Sequence, residues 1–329
     1  MGHGPADPLL AVVSPPRAAR FRRAAGLGSD EAVTADFTGW SKLVLLTADR
    51  ALLFPRNHEM VAALRAELEA LRVVEAAGIP EIPRVLEVWE DPALSPYPIA
   101  ATTRRPGTAL EAVLPGLDLT PLGRIAEQLG SLAARWHTLA PGPLSLRPAR
   151  GLSHRTRLAD LLGTSPDPPE PGDLLRELAP LLQLDRAGLH RAERALRRAR
   201  ALPPVLVHSD LHEGQILVDP DDFSVTGVID WQTAGVDHPF SEFDLGEWGP
   251  TIWRDHRVGF PELRQRYWTA YATARDLDAR LAADFEWVWS ASHAARLAEK
   301  PPDASSAEVL GTVDEALASV SEATRMLAP

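Results

Sequence analysis

The stretch Val205–Asp219, VLVHSDLHEGQILVD, sets His208, Asp210, His212, Glu213 and Gln215 between two apolar runs. A further apolar run, VTGVI, ends in Asp230, twenty residues after Asp210. If Ile216–Val218 pairs with Thr226–Ile229 across the DPDDF turn, Gln215 and Asp230 meet at one end of a hairpin, with Asp210 beside them. Two carboxylates and an amide oxygen in one place suit a hard cation, and Mg²⁺ takes oxygen ligands next to substrate phosphates. Loop solvation explains any one of these residues; it explains the three at this spacing poorly.

Three blocks of sequence must position that loop. In the first, residues 30–104, two β-type runs (Lys42–Leu46 and Ala51–Phe54) flank a turn at residues 48–50. The segment EMVAALRAELEALRVVEAAG then reads as a helix with a glycine stop, its apolar stripe being Met60, Leu64, Leu68, Leu71 and Val74. Glu67 interrupts that stripe. A carboxylate buried without a partner is costly, so a cation or donor is expected to face it. IPRVLEVW and YPIAATT read as two more strands. The second block opens near RRPGTAL with a helix over residues 120–139, whose apolar face runs Leu122, Ile125, Ala126, Leu129, Leu132, Ala133, Trp136. A proline-dense loop and a helical stretch to residue 201 follow. The third block holds the polar loop, the hairpin QILVDPDDFSVTGVID and a helical remainder. The pattern is α+β: a small β-rich part with one helix, residues 1–104, then a larger, mostly helical part, residues 105–329.

The chain has 329 residues, formal charge −11 and no cysteine, which removes disulfides and thiolate chemistry. An acidic chain is a poor partner for nucleic acid, and no apolar run approaches the length of a membrane span. The opening residues lack the basic-then-apolar order of a signal peptide, so the cytoplasm is the expected location. Of 34 basic residues only Lys42 and Lys300 are lysine.

The order His208-x-Asp210-x-x-x-x-Gln215, then Ile229-Asp230-Trp231, resembles the catalytic and metal loops of the aminoglycoside phosphotransferase family, and especially its antibiotic-kinase branch that includes macrolide phosphotransferases. The resemblance implies a two-lobed protein-kinase-like fold, with residues 1–104 binding nucleotide and 105–329 carrying the catalytic loop and acceptor site. It implies transfer of the γ-phosphate of ATP or GTP to a hydroxyl of a small-molecule antibiotic, giving resistance. Asp210 would orient or accept the acceptor hydroxyl; Gln215 and Asp230 would hold Mg²⁺. His208 would anchor the loop, and His212 either supports it or is simply exposed.

Two departures stand out. Gln215 replaces the family's Asn. In the pattern that carries the family's phosphate-gripping cation, this chain has Leu53. In the kinase arrangement that missing cation would be Glu67's partner; Arg56 is the first substitute and Lys42, after the glycine-poor TGWS turn with Ser41, the second. Ala101–Thr103 stand where such folds bind the base through backbone. The acids Asp237, Glu242, Asp244, Glu247 and Asp255 favour a cationic acceptor, and Asp244 is expected to support the fold. Trp248, Trp253, Trp268, Trp287 and Trp289 either wall an acceptor ring or fill the core. Two rival readings remain: a degenerate kinase that binds without transfer, and a metal-dependent hydrolase using the same acids.

Overall fold

Alternation of side chains along strands, and a three-to-four residue repeat along one helix, account for the smaller of two compact units. In the computed structural model the described residues are 15–28, 32–36, 39, 41–92, 94–140, 156–165, 167–243, 260–299 and 312–327. Residues 1–106 together with 227–233 form one unit, and 107–226 with 234–329 form the other.

The first unit runs α1 (Pro15–Ala24), β1 (Thr34–Asp36), β2 (Lys42–Leu46), β3 (Arg50–Pro55), α2 (Met60–Glu75), β4 (Val85–Trp89) and β5 (Ile99–Thr103). The strands form one antiparallel sheet in the order β1-β2-β3-β5-β4. Successive side chains leave opposite faces. Leu43, Leu52, Phe54, Ile99 and Ala101 therefore pack with Ala25, Leu27 and Leu94 on one side. Leu53 and Ala100 turn to the other side, against Leu64 and Leu68 of α2, with Val44 beside them. Asn57 accepts the Met60 amide at 3.0 Å at the start of α2, and Gly78, at φ 59°, takes up the left-handed turn that ends it. Every residue of the expected stripe except Met60 is buried, and so is Glu67.

The second unit begins with β6 (Thr108–Ala109) and α3 (Leu110–Val113). It continues through α4 (Leu119–Trp136), α5 (Thr156–Leu162), α6 (Pro171–Leu178) and α7 (Arg186–Arg200) to β7 (Val205–Val207). Then come β8 (Ile216–Val218), β9 (Val225–Val228), β10 (Gly235–Asp237), α8 (Phe260–Ala274), α9 (Leu281–Glu299) and α10 (Val313–Met326). The expected apolar face of α4 is buried along its whole length. A Cβ on Gly130 would lie 2.1 Å from the Tyr267 carbonyl oxygen, so only glycine lets α4 approach α8 this closely. Asp185 caps α7 through the Gly188 amide at 2.6 Å, and Thr312 with Glu315 forms a capping box on α10. The chain passes from the second unit into the first within β9, which delivers Asp230 to the first unit.

Candidate active site

The loop after β7 is held from below by a buried carboxylate. β7 pairs antiparallel with β10, Val207 facing Gly235, so the chain leaves the strand at His208 with a fixed direction. The His208 amide donates to both carboxylate oxygens of fully buried Glu242, at 3.1 and 3.0 Å. Glu242 also faces His137 Nε2 at 3.2 Å, while His137 Nδ1 lies 2.9 Å from the Tyr271 hydroxyl. One proton arrangement satisfies all of them: His137 donates through Nε2 and accepts the tyrosine proton at Nδ1. Burial pushes the His137 pKa down, against the pull of Glu242, so the ring is neutral in this network.

Ser209 then takes φ 70°, a left-handed conformation that costs a non-glycine residue energy and that the surrounding contacts must impose. This turn brings the Asp210 amide to His208 Nδ1, at 3.3 Å. His208 is fully buried, in keeping with an anchoring role, whereas Asp210 is half-buried. The loop closes on itself. The His212 amide donates to the Asp210 carbonyl at 3.0 Å, and the Gln215 amide to the His212 carbonyl at 2.9 Å. A Cβ on Gly214 would come within 2.8 Å of the His212 ring, so a larger residue there would push that ring aside. His212 Nδ1 accepts the Gly214 amide at 3.1 Å, which leaves the neutral ring's proton on Nε2. The Gln215 side-chain amide stands 3.1 Å from that Nε2, and an N–H facing it calls for the amide oxygen. His212 is thus a support for Gln215.

In the first unit, Lys42, Glu67 and Asp230 come together. Lys42 Nζ donates to Glu67 Oε2 and, at 2.7 Å, to Asp230 Oδ1. The Lys42 and Glu67 side chains are almost wholly enclosed and that of Asp230 largely so. Burial alone would depress the Lys42 ammonium, but the two carboxylates outweigh it and hold its pKa above the ordinary lysine value. Burial raises Glu67, against the opposing pull of Lys42 and of the Trp231 backbone. Asp230 sits at φ 65°, a second strained residue, with its other oxygen 3.4 Å from Gln232 Nε2.

The partner of Glu67 is therefore Lys42 and not Arg56, the substitute placed first by sequence. Sequence distance hid the reason. Lys42 projects from the same face of β2 as Val44, toward α2, whereas Arg56 has passed the end of β3. Arg56 instead secures the turn before β2: its Nε donates to the Gly39 carbonyl at 2.6 Å and its amide to the Ser41 carbonyl at 3.1 Å. Ser41 is buried; Thr38 and Trp40 of the same turn lie outside the described residues.

Ala101 offers little to a base. It is fully buried in the middle of the sheet, paired with Leu52 on one side and Glu87 on the other. Thr103, at the strand end, exchanges two 2.9 Å hydrogen bonds with the Arg84 backbone.

Of the acids expected to face an acceptor, Asp237 and Glu242 are buried and spend oxygens on backbone amides, Asp237 on that of His238 at 2.6 Å. Asp244, Glu247, Asp255, Trp248 and Trp253 lie outside the described residues. Trp268, Trp287 and Trp289 are core: Trp268 packs edge-on with Phe240 and Tyr271, and Trp287 Nε1 donates to Thr324 at 3.0 Å. Glu242 and His137 escaped the sequence reading as loop supports. The signal for Glu242 is its position two residues before Asp244, which the sequence reads as supporting the fold.

Among the described residues no three His, Cys, Asp or Glu side chains converge on one metal position. Mg²⁺ uses one or two carboxylates and completes its shell with water and substrate phosphates. Asp230, a carboxyl side chain against the Lys42 ammonium and partly accessible, offers the oxygen chemistry of such a ligand.

A five-stranded antiparallel sheet with one helix against it, followed by a mostly helical unit, is the protein-kinase-like fold. The model of the phosphotransferase enzyme family, APH, matches residues 38–285, and the chain belongs to that family. The GDP complex of wild-type aminoglycoside 2'-phosphotransferase-IIIa is similar over 94% of this chain and 97% of its own, at 16% identity and TM-score 0.50. APH(3'')-Id from Streptomyces rimosus, in complex with ADP and streptomycin, is 20% identical over 82% of this chain and 96% of its own, at TM-score 0.47. No curated protein matches the sequence.

Proposed function

We propose that the chain transfers the γ-phosphoryl group of ATP or GTP to a hydroxyl of a small cationic molecule, an antibiotic that it thereby inactivates in the cytoplasm. The observation that carries this reading is the loop His208–Gln215. There the Asp210 amide donates to His208 Nδ1, the Asp210 carbonyl accepts the His212 amide and the residue is partly buried, in a chain of the phosphotransferase family. In such a reaction the protein positions and neutralises and does little covalent chemistry. Asp210 orients the acceptor hydroxyl and takes its proton as the bond to phosphorus forms. Asp230 and Gln215 are the residues that would hold Mg²⁺, which neutralises charge on the transferring phosphoryl group. The GDP complex of the neighbour at TM-score 0.50 supports a nucleotide donor.

A panel of antibiotics incubated with ATP or GTP and Mg²⁺, read by mass spectrometry for the gain of one phosphoryl group, tests this directly. Asp210→Asn is expected to lower turnover by about 10²-fold or more while nucleotide affinity holds, because a general base contributes on that order and does not touch the donor. Retained turnover would remove Asp210 from its role. Buried Leu53 and the engaged Gln215 amide favour one alternative, a kinase-like protein that binds nucleotide without transfer. Tight nucleotide binding with no mass gain on any acceptor would select it.

A further inference from the structure

Phosphoryl transfer needs a cation on the donor's phosphates, and the position that carries it in the family's pattern is empty of charge here. Leu53 is buried among Leu64, Leu68 and Ala100. We propose that Lys42 supplies that cation from β2, so that the phosphate grip has moved one strand across the sheet. The proposal rests on the phosphotransferase reading above.

The register shows how the move is made. Val44 faces Leu53 across the ladder, and Lys42, two residues before Val44, projects from the same side of the sheet. That side is the one covered by α2. A cation lost from the centre of β3 is thus regained at the start of the neighbouring strand, and the long aliphatic stem of lysine carries it back to Glu67.

The donors of Lys42 are not exhausted there. An ammonium has three N–H groups. Two are spent on Glu67 and Asp230, and among the described residues no third acceptor stands against Nζ. The remaining donor sits on a cation next to Asp230, the residue assigned to the metal that phosphates share. A phosphate oxygen is the acceptor that completes it.

Composition points the same way. Of 34 basic residues the chain keeps only two as lysine, and one of them is here. An arginine fork would lock onto one carboxylate in two parallel bonds; a compact ammonium can serve three separate acceptors. Arg56, the competing candidate, has its Nε committed to Gly39.

The test is calorimetric titration of the full chain with ATP and with GTP, each with Mg²⁺ and without acceptor. The variants are Lys42→Met, Arg56→Ala and the double variant Lys42→Met/Glu67→Gln, with thermal melts recorded in parallel. The double variant removes the buried carboxylate that Lys42→Met leaves without its cation, so a folded protein is tested even if the single variant unfolds. Both Lys42 variants are expected to bind nucleotide about tenfold or more weakly, the scale of one hydrogen bond to a charged group, and Arg56→Ala is expected to lose less. A double variant that melts as a folded protein and binds as tightly as wild type would overturn the proposal, as would a larger loss in Arg56→Ala. Wild type that binds neither nucleotide would fail differently, taking the phosphotransferase reading down and this assignment with it.

Discussion

Gln215, proposed above as a metal ligand, is longer than the residue the family's pattern carries at that position. Gln exceeds Asn by one carbon–carbon bond, about 1.5 Å, whereas Mg²⁺ tolerates little departure from about 2.1 Å to its oxygens. The His212 ring against the Gln215 amide supplies a brace that fixes where the longer side chain points. The brace and the extra methylene form one unit, so their substitutions should not add. Gln215→Asn is expected to retain transfer with an altered preference between Mg²⁺ and Mn²⁺, because Asn no longer reaches His212. His212→Ala is expected to weaken metal-dependent nucleotide binding, and in the Gln215→Asn background to do so by much less. Additive losses across the double-mutant cycle would show that the two side chains act separately. The residues of this loop were legible because they are close in sequence and their spacing is itself the signal. Glu242 and the Lys42–Glu67 pair were not, or were misranked, because what unites them is a strand face or a chain return that no local pattern records.

Elements were readable in proportion to their apolar periodicity. The α2 stripe, the α4 face, the β2–β3 hairpin and the β8–β9 hairpin all stood out, and each lies within a few residues of its expected bounds. By contrast β1 is three exposed residues and β6 only two, with no alternation to detect. α1 opens on two prolines and is arginine-rich, a poor amphipathic signal. The most consequential contact between elements is polar and long-range. Glu242 joins the end of β7, the end of α4 and, through His137, α8. Its two oxygens accept from the His208 amide and face His137 Nε2. Glu242→Gln keeps the shape but offers one acceptor oxygen and an NH₂ group that must face a donor. Leaving one buried donor unsatisfied costs about 1–3 kcal/mol. The variant is expected to lose about that much stability in denaturant titrations and to lower kcat with little change in nucleotide KM, since the loop carrying Asp210 hangs from this carboxylate. Unchanged kcat in a destabilised protein would make Glu242 a residue of the core alone.

Over the whole molecule, charge and burial predict how the fold responds to acid. The formal charge of −11 spreads over many surface carboxylates, but the buried histidines set the sharper dependence. His238 accepts the Phe240 amide at Nδ1, at 3.1 Å, and faces the Ala199 carbonyl through Nε2 at 2.8 Å, so it is held as the neutral Nε2–H tautomer between β10 and the end of α7. Burial pushes its pKa down to about 4 from the ordinary 6.5, although the carbonyl partly opposes the shift. His137, buried beside Glu242, is shifted in the same direction. A depressed folded-state pKa means that the unfolded chain takes up protons first as pH falls. The stability these neutral rings contribute is therefore complete above about pH 6.5 and is lost progressively toward pH 4. For His238 alone, the drop from 6.5 to about 4 corresponds to roughly 3 kcal/mol. Thermal melts from pH 7 to pH 4 are expected to show a falling midpoint through that window. His238→Asn keeps an acceptor for the Phe240 amide but has no group that titrates there, so it is expected to melt lower at pH 7 yet with a shallower slope. A variant slope as steep as that of wild type would move the acid sensitivity away from His238, with His137 the next residue to substitute.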